Sequence, residues 1–321
     1  MTAVHQLTPS FAPRDAIGNH ILQCQKVLRD MGLRSDILVG DAWREVEHLT
    51  IPFRNVRIEP GERTWFLYHA STGSPIADFL MERAEPKLVD YHNITPAEIF
   101  GPWEPHVGVE LHAARRQLAD LASHTDLAFA DSSYNNDELL ALGYRSAGVV
   151  PILIDTASFD EHVDPRGVEK LRAQVRGATW LFVSRVAPNK SHHDLMNAFA
   201  VYRRVYDGDA HLRILGGPSS ARYWDALHDL RSALRLDDAI TFTGNVPDAD
   251  KALHMEAADV YVSTSDHEGF GVTLLEAMHH GLPVVAYGSS AVPETMGDGG
   301  LVLPTKLPGT VAAAVHRVLT D

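Results

Sequence analysis

Short runs of consecutive apolar residues alternate along this chain with longer amphipathic stretches, the pattern of βα units whose strands are buried on both faces of a parallel sheet. In the first half the runs predict strands at Ser35–Val39, Trp65–His69, Lys87–Tyr91, Leu127–Ala130 and Gly148–Ile152. The helical periodicity between them predicts helices at Ile17–Met31, stopped by Gly32, at Leu111–Leu121, and at Asp137–Leu142, stopped by Gly143. In the second half, strands are expected at Trp180–Val183, Leu212–Leu215, Ile240–Thr243, Val260–Thr264 and Pro283–Tyr287. They alternate with helices at His193–Tyr206, Ala221–Leu234, Asp248–Ala257, Thr273–His279 and Thr310–Leu319. No fixed-period repeat is visible. A chain of 321 residues is too long for one ordinary core. The acidic, weakly periodic stretch from Pro151 through Pro165 therefore reads as a connection, giving a domain at 1–157, a linker at 158–176 and a second domain at 177–321.

The densest chemistry lies in Asp266-His267-Glu268-Gly269-Phe270-Gly271-Val272-Thr273-Leu274-Leu275-Glu276, a glycine-bracketed loop that opens into a predicted helix. Glycines permit sharp turns and close approach of backbone to a ligand, and the unpaired N–H groups of a helix start favour phosphate. A carboxylate repels phosphate, so Glu268 and Glu276 are suited to hydroxyl groups on rings either side of a diphosphate, as in a nucleotide sugar. Thr273-x-x-Glu276 fits a capping box equally well, in which the glutamate only closes the helix start. A second cluster, Ser184-Arg185-Val186-Ala187-Pro188-Asn189-Lys190-Ser191, follows the strand at 180–183. In open α/β sheets ligands bind at the carboxyl ends of strands, so Arg185 and Lys190 are placed for a diphosphate, one as a planar fork and the other as a mobile point charge.

These segments, with Leu195-x-x-Ala198-Phe199, Leu275-Glu276-Ala277-Met278 and Gly281-Leu282-Pro283-Val284-Val285-Ala286, closely resemble the donor half of the retaining glycosyltransferases of family 4. The resemblance runs from about residue 177 to the end. It is looser in the first half, where His5-Gln6, Asp15-Ala16-Ile17-Gly18-Asn19-His20 and Tyr91-His92-Asn93-Ile94-Thr95-Pro96 are similar to acceptor-side segments of that family. The fold it implies is α/β of GT-B architecture, with two Rossmann-like domains facing each other across a cleft. It also implies a closing helix that crosses back to the first domain, whereas this chain stops at Asp321 soon after a second-domain helix.

What the resemblance implies about function is a retaining, metal-independent transfer of a hexosyl unit from a UDP- or GDP-linked sugar to a hydroxyl on a glycan, lipid-linked or small-molecule acceptor, in cell-surface glycan or polysaccharide synthesis. His92, Glu268, Arg185 and Lys190 would be the catalytic set. Gly18, Asn19, Asn93, Gly269, Phe270, Gly271, Val272, Thr273 and Glu276 would join Arg185, Lys190 and Glu268 in holding substrates. Arg185 and Lys190 would neutralise the departing diphosphate, Glu276 would hold the ribose and Glu268 the sugar, and His92 would lie near the transferred sugar. Arg14 stands where the family commonly has a small residue in a glycine-rich loop. The alternative is a sugar-nucleotide-binding subunit that supports a partner glycosyltransferase, motivated by Arg14 and the short C-terminus.

Several short segments carry bland readings beside functional ones. Asp15 fits a helix cap as well as an acceptor contact, Asp131-Ser132-Ser133-Tyr134 fits a cap best, Gly216-Gly217-Pro218 reads as turn punctuation, Gly244-Asn245-Val246-Pro247 resembles a loop near the base, and Glu294 reads as structural.

Composition narrows the partners. A formal net charge of −14 disfavours nucleic acid and anionic lipid as general partners. The 18 histidines include the adjacent pairs His192-His193 and His279-His280, which diverge on a helix and make no ligand spacing, so neither metal nor cofactor is expected. With no run of ~20 apolar residues and no signal-peptide pattern, the expected location is cytoplasmic, with at most peripheral contact at the inner membrane face. Cys24 is the single cysteine and cannot form an internal disulfide.

Overall fold

The computed structural model describes residues 2–12, 15–159 and 163–321; Arg14 and part of the expected linker lie outside them. The chain divides into two compact units, Met1–Gly101 with Pro105–Asp155, and Pro102–Glu104 with Thr156–Asp321.

The first unit carries strands β1 (Thr2–Phe11), β2 (Ile37–Ala42), β3 (Thr50–Pro52), β4 (Arg63–Ala70), β5 (Lys87–Tyr91), β6 (Leu127–Ala130) and β7 (Ser146–Val149). Its helices are α1 (Ala16–Asp30), α2 (Pro75–Met81), α3 (Ala97–Phe100), α4 (Pro105–Leu121) and α5 (Ser133–Ala141). All its strand pairings are parallel, in the order β3-β2-β1-β4-β5-β6-β7. The order reverses between β1 and β4, which makes the ends of these two strands a topological switch point.

The second unit repeats the scheme with β8 (Thr179–Val183), β9 (His211–Leu215), β10 (Ile240–Gly244), β11 (Val260–Ser263), β12 (Val284–Tyr287) and β13 (Leu301–Leu303). They are parallel in the order β10-β9-β8-β11-β12-β13, with the switch point between β8 and β11. The helices are α6 (Pro165–Arg172), α7 (His192–Val205), α8 (Ala221–Ala233), α9 (Asp248–Ala257), α10 (Val272–His279), α11 (Val292–Met296) and α12 (Pro308–Thr320). Trp180, Leu181 and Phe182 of β8 and Val260, Tyr261 and Val262 of β11 are all but inaccessible, so the core sits directly beneath that switch point.

Some elements differ from the sequence expectation for identifiable reasons. Strand β1 places His5, Gln6 and Thr8 in the interior, so it has no uninterrupted apolar run. Helix α5 starts at Ser133 rather than Asp137 because the Ser132 hydroxyl accepts the Asn135 N–H at 3.3 Å. Strand β7 ends at Val149, around Gly148 with φ of 108°. Helix α6 occupies much of the span read as a linker, entered through an Asp164 cap and Pro165. Helix α2 and the short strands β3 and β13 were not predicted.

Candidate functional site

The second unit brings the two predicted clusters together. Strands β8 and β11 are hydrogen-bonded neighbours, so the segments leaving their carboxyl ends, 184–191 and 264–271, run side by side. The Asp266 N–H donates to Asn189 O at 2.8 Å and Asn189 Nδ2 donates to His267 O at 3.3 Å. Across this seam Lys190 Nζ lies 2.6 Å from Glu268 Oε2, both side chains less than one-fifth exposed. Arg185 stands exposed on the same connection and makes no hydrogen bond or ion pair among the described residues. A committed lysine and an uncommitted arginine thus project from one loop.

Glycine geometry shapes both sides of the seam. Gly271, at φ 97°, is the N-cap of α10 and supplies no side-chain cap, so the helix begins with its amide groups open to a ligand. The capping-box alternative is not realised: Thr273 lies inside α10 and its hydroxyl accepts from Tyr261 at 3.0 Å, while Glu276 turns to Lys251 of α9, Oε1 to Nζ 2.8 Å. Glu276 is 7% exposed and its other oxygen, Oε2, is buried without a partner. A buried bare carboxylate oxygen calls for a donor, and a ligand hydroxyl is a fitting one. Lys251, absent from the sequence reading, is the residue that fixes it.

Gly216, read as punctuation, does more. At φ 132°, a Cβ there would stand 1.9 Å from Ser184 O, so only glycine lets the chain leaving β9 lie against the loop leaving β8. Val186 N then donates to Gly217 O and Gly216 N to Gly244 O, each at 2.9 Å, tying three loop ends together. Gly216→Ala is expected to cost on the order of 2–4 kcal/mol in urea unfolding, and a change of less than about 0.5 kcal/mol would contradict this packing.

Behind the loop, Ser191 at φ 48° turns the chain into α7, and its hydroxyl donates to Asp266. Lys306 bridges Asp194 at 2.6 Å and Asp266 at 2.5 Å, an ion-pair network that fixes the turn and that nothing in the local sequence announced.

The first unit holds a different cluster. His92, after β5, is 7% exposed; its Nδ1 lies 2.9 Å from Asp131 Oδ2 and its Nε2 lies 2.9 Å from Nδ1 of His69 on β4. His69 Nε2 meets Gln6 Oε1 at 3.0 Å, and Asp90 Oδ2 takes His20 Nε2 at 2.8 Å. Burial drives His69 down to about 4; His92 is likewise penalised by burial, but Asp131 and Asp90 overcome this and raise it to about 9. The same surroundings hold Asp90 well below the usual carboxylate range, through His92, His20 and His69 acting against its burial. Asn93 has φ of 77°, donates from Nδ2 to Asn135 Oδ1 at 2.6 Å, and buries an unpartnered Oδ1. Backbone strain with an orphaned carbonyl oxygen is a functional-site signature.

Of the other first-unit candidates, Gly18 is buried, with its N–H given to the Asp15 side chain at 3.1 Å, so Asp15 is a helix cap. Asn19 is exposed on α1. The buried partners His69 and Asp90 were missed as site residues, because a polar residue inside a strand gives no periodic signal, and Asp131, just after β6, reads in the sequence as part of a helix cap.

Comparison with known proteins bears on both units. Residues 177–321 match the family described as glycosyl transferases group 1. A GDP-mannose-dependent alpha-(1-6)-phosphatidylinositol monomannoside mannosyltransferase of Mycobacterium tuberculosis is 32% identical over 225 residues, 66% of this chain and 57% of that protein. The O-antigen chain mannosyltransferase B of Escherichia coli is 25% identical over 279 residues, 82% of this chain and 70% of that protein. The chain thus spans little more than half the length of the mycobacterial relative. Among solved structures, Anabaena Alr3699/HepE in complex with UDP and glucose superposes with a TM-score of 0.73 at 19% identity, covering 100% of this chain and 90% of that one. Sucrose-phosphate synthase from Thermosynechococcus elongatus gives 0.75 at 17% identity, covering 99% and 90%. At these identities the likeness concerns fold, which is that of the GT-B glycosyltransferases with two Rossmann-like domains.

Proposed function

We propose that this chain, whose second unit belongs to the group 1 glycosyltransferases, moves a hexosyl unit from a nucleotide-diphosphate sugar to a hydroxyl acceptor. The observation that carries this is the seam between the ends of β8 and β11, where Lys190 meets Glu268 across the two loops, one of which also carries the exposed Arg185 and the other the uncapped start of α10.

The chemistry follows from charge. As the glycosidic bond to phosphate lengthens, negative charge grows on the departing diphosphate. Arg185 and Lys190 would receive that charge, and the open N–H groups of α10 would add fixed dipoles, so that no metal is required. Phe270, Gly269 and Gly271 would shape the backbone around the phosphates, with Val272 and Thr273 offering the first amides. Glu276, with Oε1 held by Lys251, would accept from ribose hydroxyls through Oε2, and Glu268 would accept from hydroxyls of the sugar. Front-side substitution with retention, assisted by the leaving phosphate, is the mechanism this reading adopts. The relatives' printed names support GDP-mannose as a first donor to try, with UDP-sugars second, and glycan or lipid-linked acceptors in cell-surface polysaccharide synthesis. Among the described residues no helix is long and apolar enough to cross a membrane.

Turnover by the purified chain tests it. Release of nucleoside diphosphate from a sugar donor in the presence of an acceptor panel is expected, and Arg185→Ala should lower kcat/KM by about 10²–10³-fold while leaving the fold intact. Equal turnover in the variant would remove Arg185 from the mechanism. Binding of nucleotide sugar with no release across a broad panel would favour a non-catalytic subunit instead.

A further inference from the structure

The buried cluster of the first unit contains more chemistry than a strand end requires. His20, His69, Asp90 and His92 offer four ligand atoms within 4.8 Å of one another, which is the composition of a zinc site. The ring geometry argues against a metal. The planes of His69 and His92 differ by 8°, their centroids are 5.2 Å apart and their facing nitrogens 2.9 Å apart. A centroid spacing longer than the N···N distance by about two ring radii requires the rings to lie end to end in one plane, with lone-pair axes pointing at each other. Lone pairs that bind one ion must converge on it instead, and an ion about 2.0–2.1 Å from each nitrogen does not fit between collinear nitrogens this close. His20 is excluded separately: its Nδ1 accepts the Leu153 N–H at 2.8 Å, so Nε2 carries the proton it gives to Asp90.

The hydrogen-bond network then fixes the proton inventory. Gln6 donates from Nε2 to Ile21 O at 3.1 Å, so its Oε1 is the acceptor and His69 Nε2 bears a proton. His92 Nδ1 faces both oxygens of Asp131, at 3.0 and 2.9 Å, and bears another. One proton remains for the collinear gap between His69 Nδ1 and His92 Nε2. Three protons on four ring nitrogens make one positive charge over two rings. Asp90 Oδ2 flanks that gap at 3.3 and 3.5 Å and balances it.

We propose that His69 and His92 hold one proton between them and act as a single buried imidazolium, a fixed cation at the carboxyl ends of β4 and β5, with His69 as the positioning residue for His92. The proposal deepens the functional reading, in which His92 is the first unit's candidate for the transferred sugar, and its role there rests on that reading. Because both ring nitrogens of His92 are committed inside the protein, what it presents to a ligand is charge and a ring edge, not a hydrogen bond. The charged and titratable groups facing the pair are Asp90 on β5, Asp131 after β6, His20 on α1 and Asp15 at its cap. Cys24 Sγ stands 3.4 Å from His20 Nε2. Burial takes His69 down to about 4, while at His92 the cost of burial is outweighed by Asp131 and Asp90, which raise it to about 9, so one proton stays on the pair across the physiological range.

The test is proton and nitrogen NMR of the full chain labelled at histidine, from pH 5 to 8. The expected result is one strongly downfield ring proton coupled to His69 and His92, with their ring nitrogen shifts unchanged over that range and unaffected by added zinc. An ordinary titration of either ring near pH 6.5, or stoichiometric zinc uptake that shifts both rings, would overturn the proposal. In His69→Leu the downfield signal should vanish and the His92 ring nitrogen shifts should change as Nε2 loses its acceptor, whereas His69→Asn, whose side-chain oxygen can still accept from His92 Nε2, should keep those shifts near the parent values. If the chain turns over sugar nucleotide, His69→Leu should lower kcat/KM by about tenfold as His92 loses its positioning partner, and His69→Asn should restore most of that loss. Identical kcat/KM in the two variants would remove His69 as a positioning residue. The spectra stand independently of turnover, so failure of the functional reading and failure of the shared proton are told apart.

Discussion

Lys190→Ala is expected to weaken binding of a nucleoside diphosphate by about 10–100-fold while changing binding of the free nucleoside less than about threefold. The first figure corresponds to loss of a charge-assisted contact worth about 1.5–3 kcal/mol. The second follows because base and ribose would be held on the other side of the seam, by Glu276 and the Gly244–Pro247 loop. Removing the lysine has a second expected consequence: Glu268, its partner at 2.6 Å and only 13% exposed, would be left unpaired and would repel a diphosphate bound at the seam. Thermal-shift titrations measure both ligands on both proteins, because a ligand that binds the native state raises its apparent stability. Equal losses for diphosphate and nucleoside would mean that Lys190 acts on the loop as a whole.

The second large effect is acid destabilisation beginning near pH 6.5. Burial pushes His192 down to about 3, with Lys190 adding to the effect, and burial likewise takes His69, His211 and His254 to about 4. For each, the unfolded chain takes up a proton at about pH 6.5 while the folded chain refuses it, so stability is lost as pH falls from about 6.5 toward the folded value. From the fully buried His192 alone the loss is roughly 2–3 kcal/mol by pH 4.5. His92 has the opposite sign. Its value is raised to about 9, so its contribution is complete below about pH 6.5 and fades as pH rises toward 9. Urea midpoints at intervals from pH 4.5 to 9 should therefore peak near neutrality. A midpoint that stays level from pH 7 to 4.5 would contradict the burial of neutral imidazoles.

The parallel sheets and the second-unit loop were legible because they are written in local signals: apolar runs such as Trp180–Val183, the bracketing Gly269 and Gly271, and cations just past a strand end. What escaped the sequence depends on tertiary contact. Strand β1 was recognised only through resemblance at His5-Gln6, since its interior polar residues face other polar residues rather than an apolar layer. His69 and Asp90 are strand residues whose meaning appears only when β1, β4 and β5 stand side by side. Lys251 and Lys306 lie 25 and 40 positions from their partners Glu276 and Asp266, beyond any local pattern. Gly216 looked like a turn because a strand end, a glycine and a proline usually make one; the carbonyl of Ser184 is what demands it.

The account stands on the seam at β8 and β11 being a diphosphate site, and calorimetry on the unaltered chain tests that most directly. Titration with UDP, GDP, TDP and ADP and their hexose conjugates is predicted to find at least one nucleoside diphosphate that binds at roughly micromolar Kd, and in Arg185→Ala more weakly by tenfold or more. Binding no tighter than roughly millimolar for all of them, or affinity indifferent to Arg185 and Lys190 alike, would contradict it.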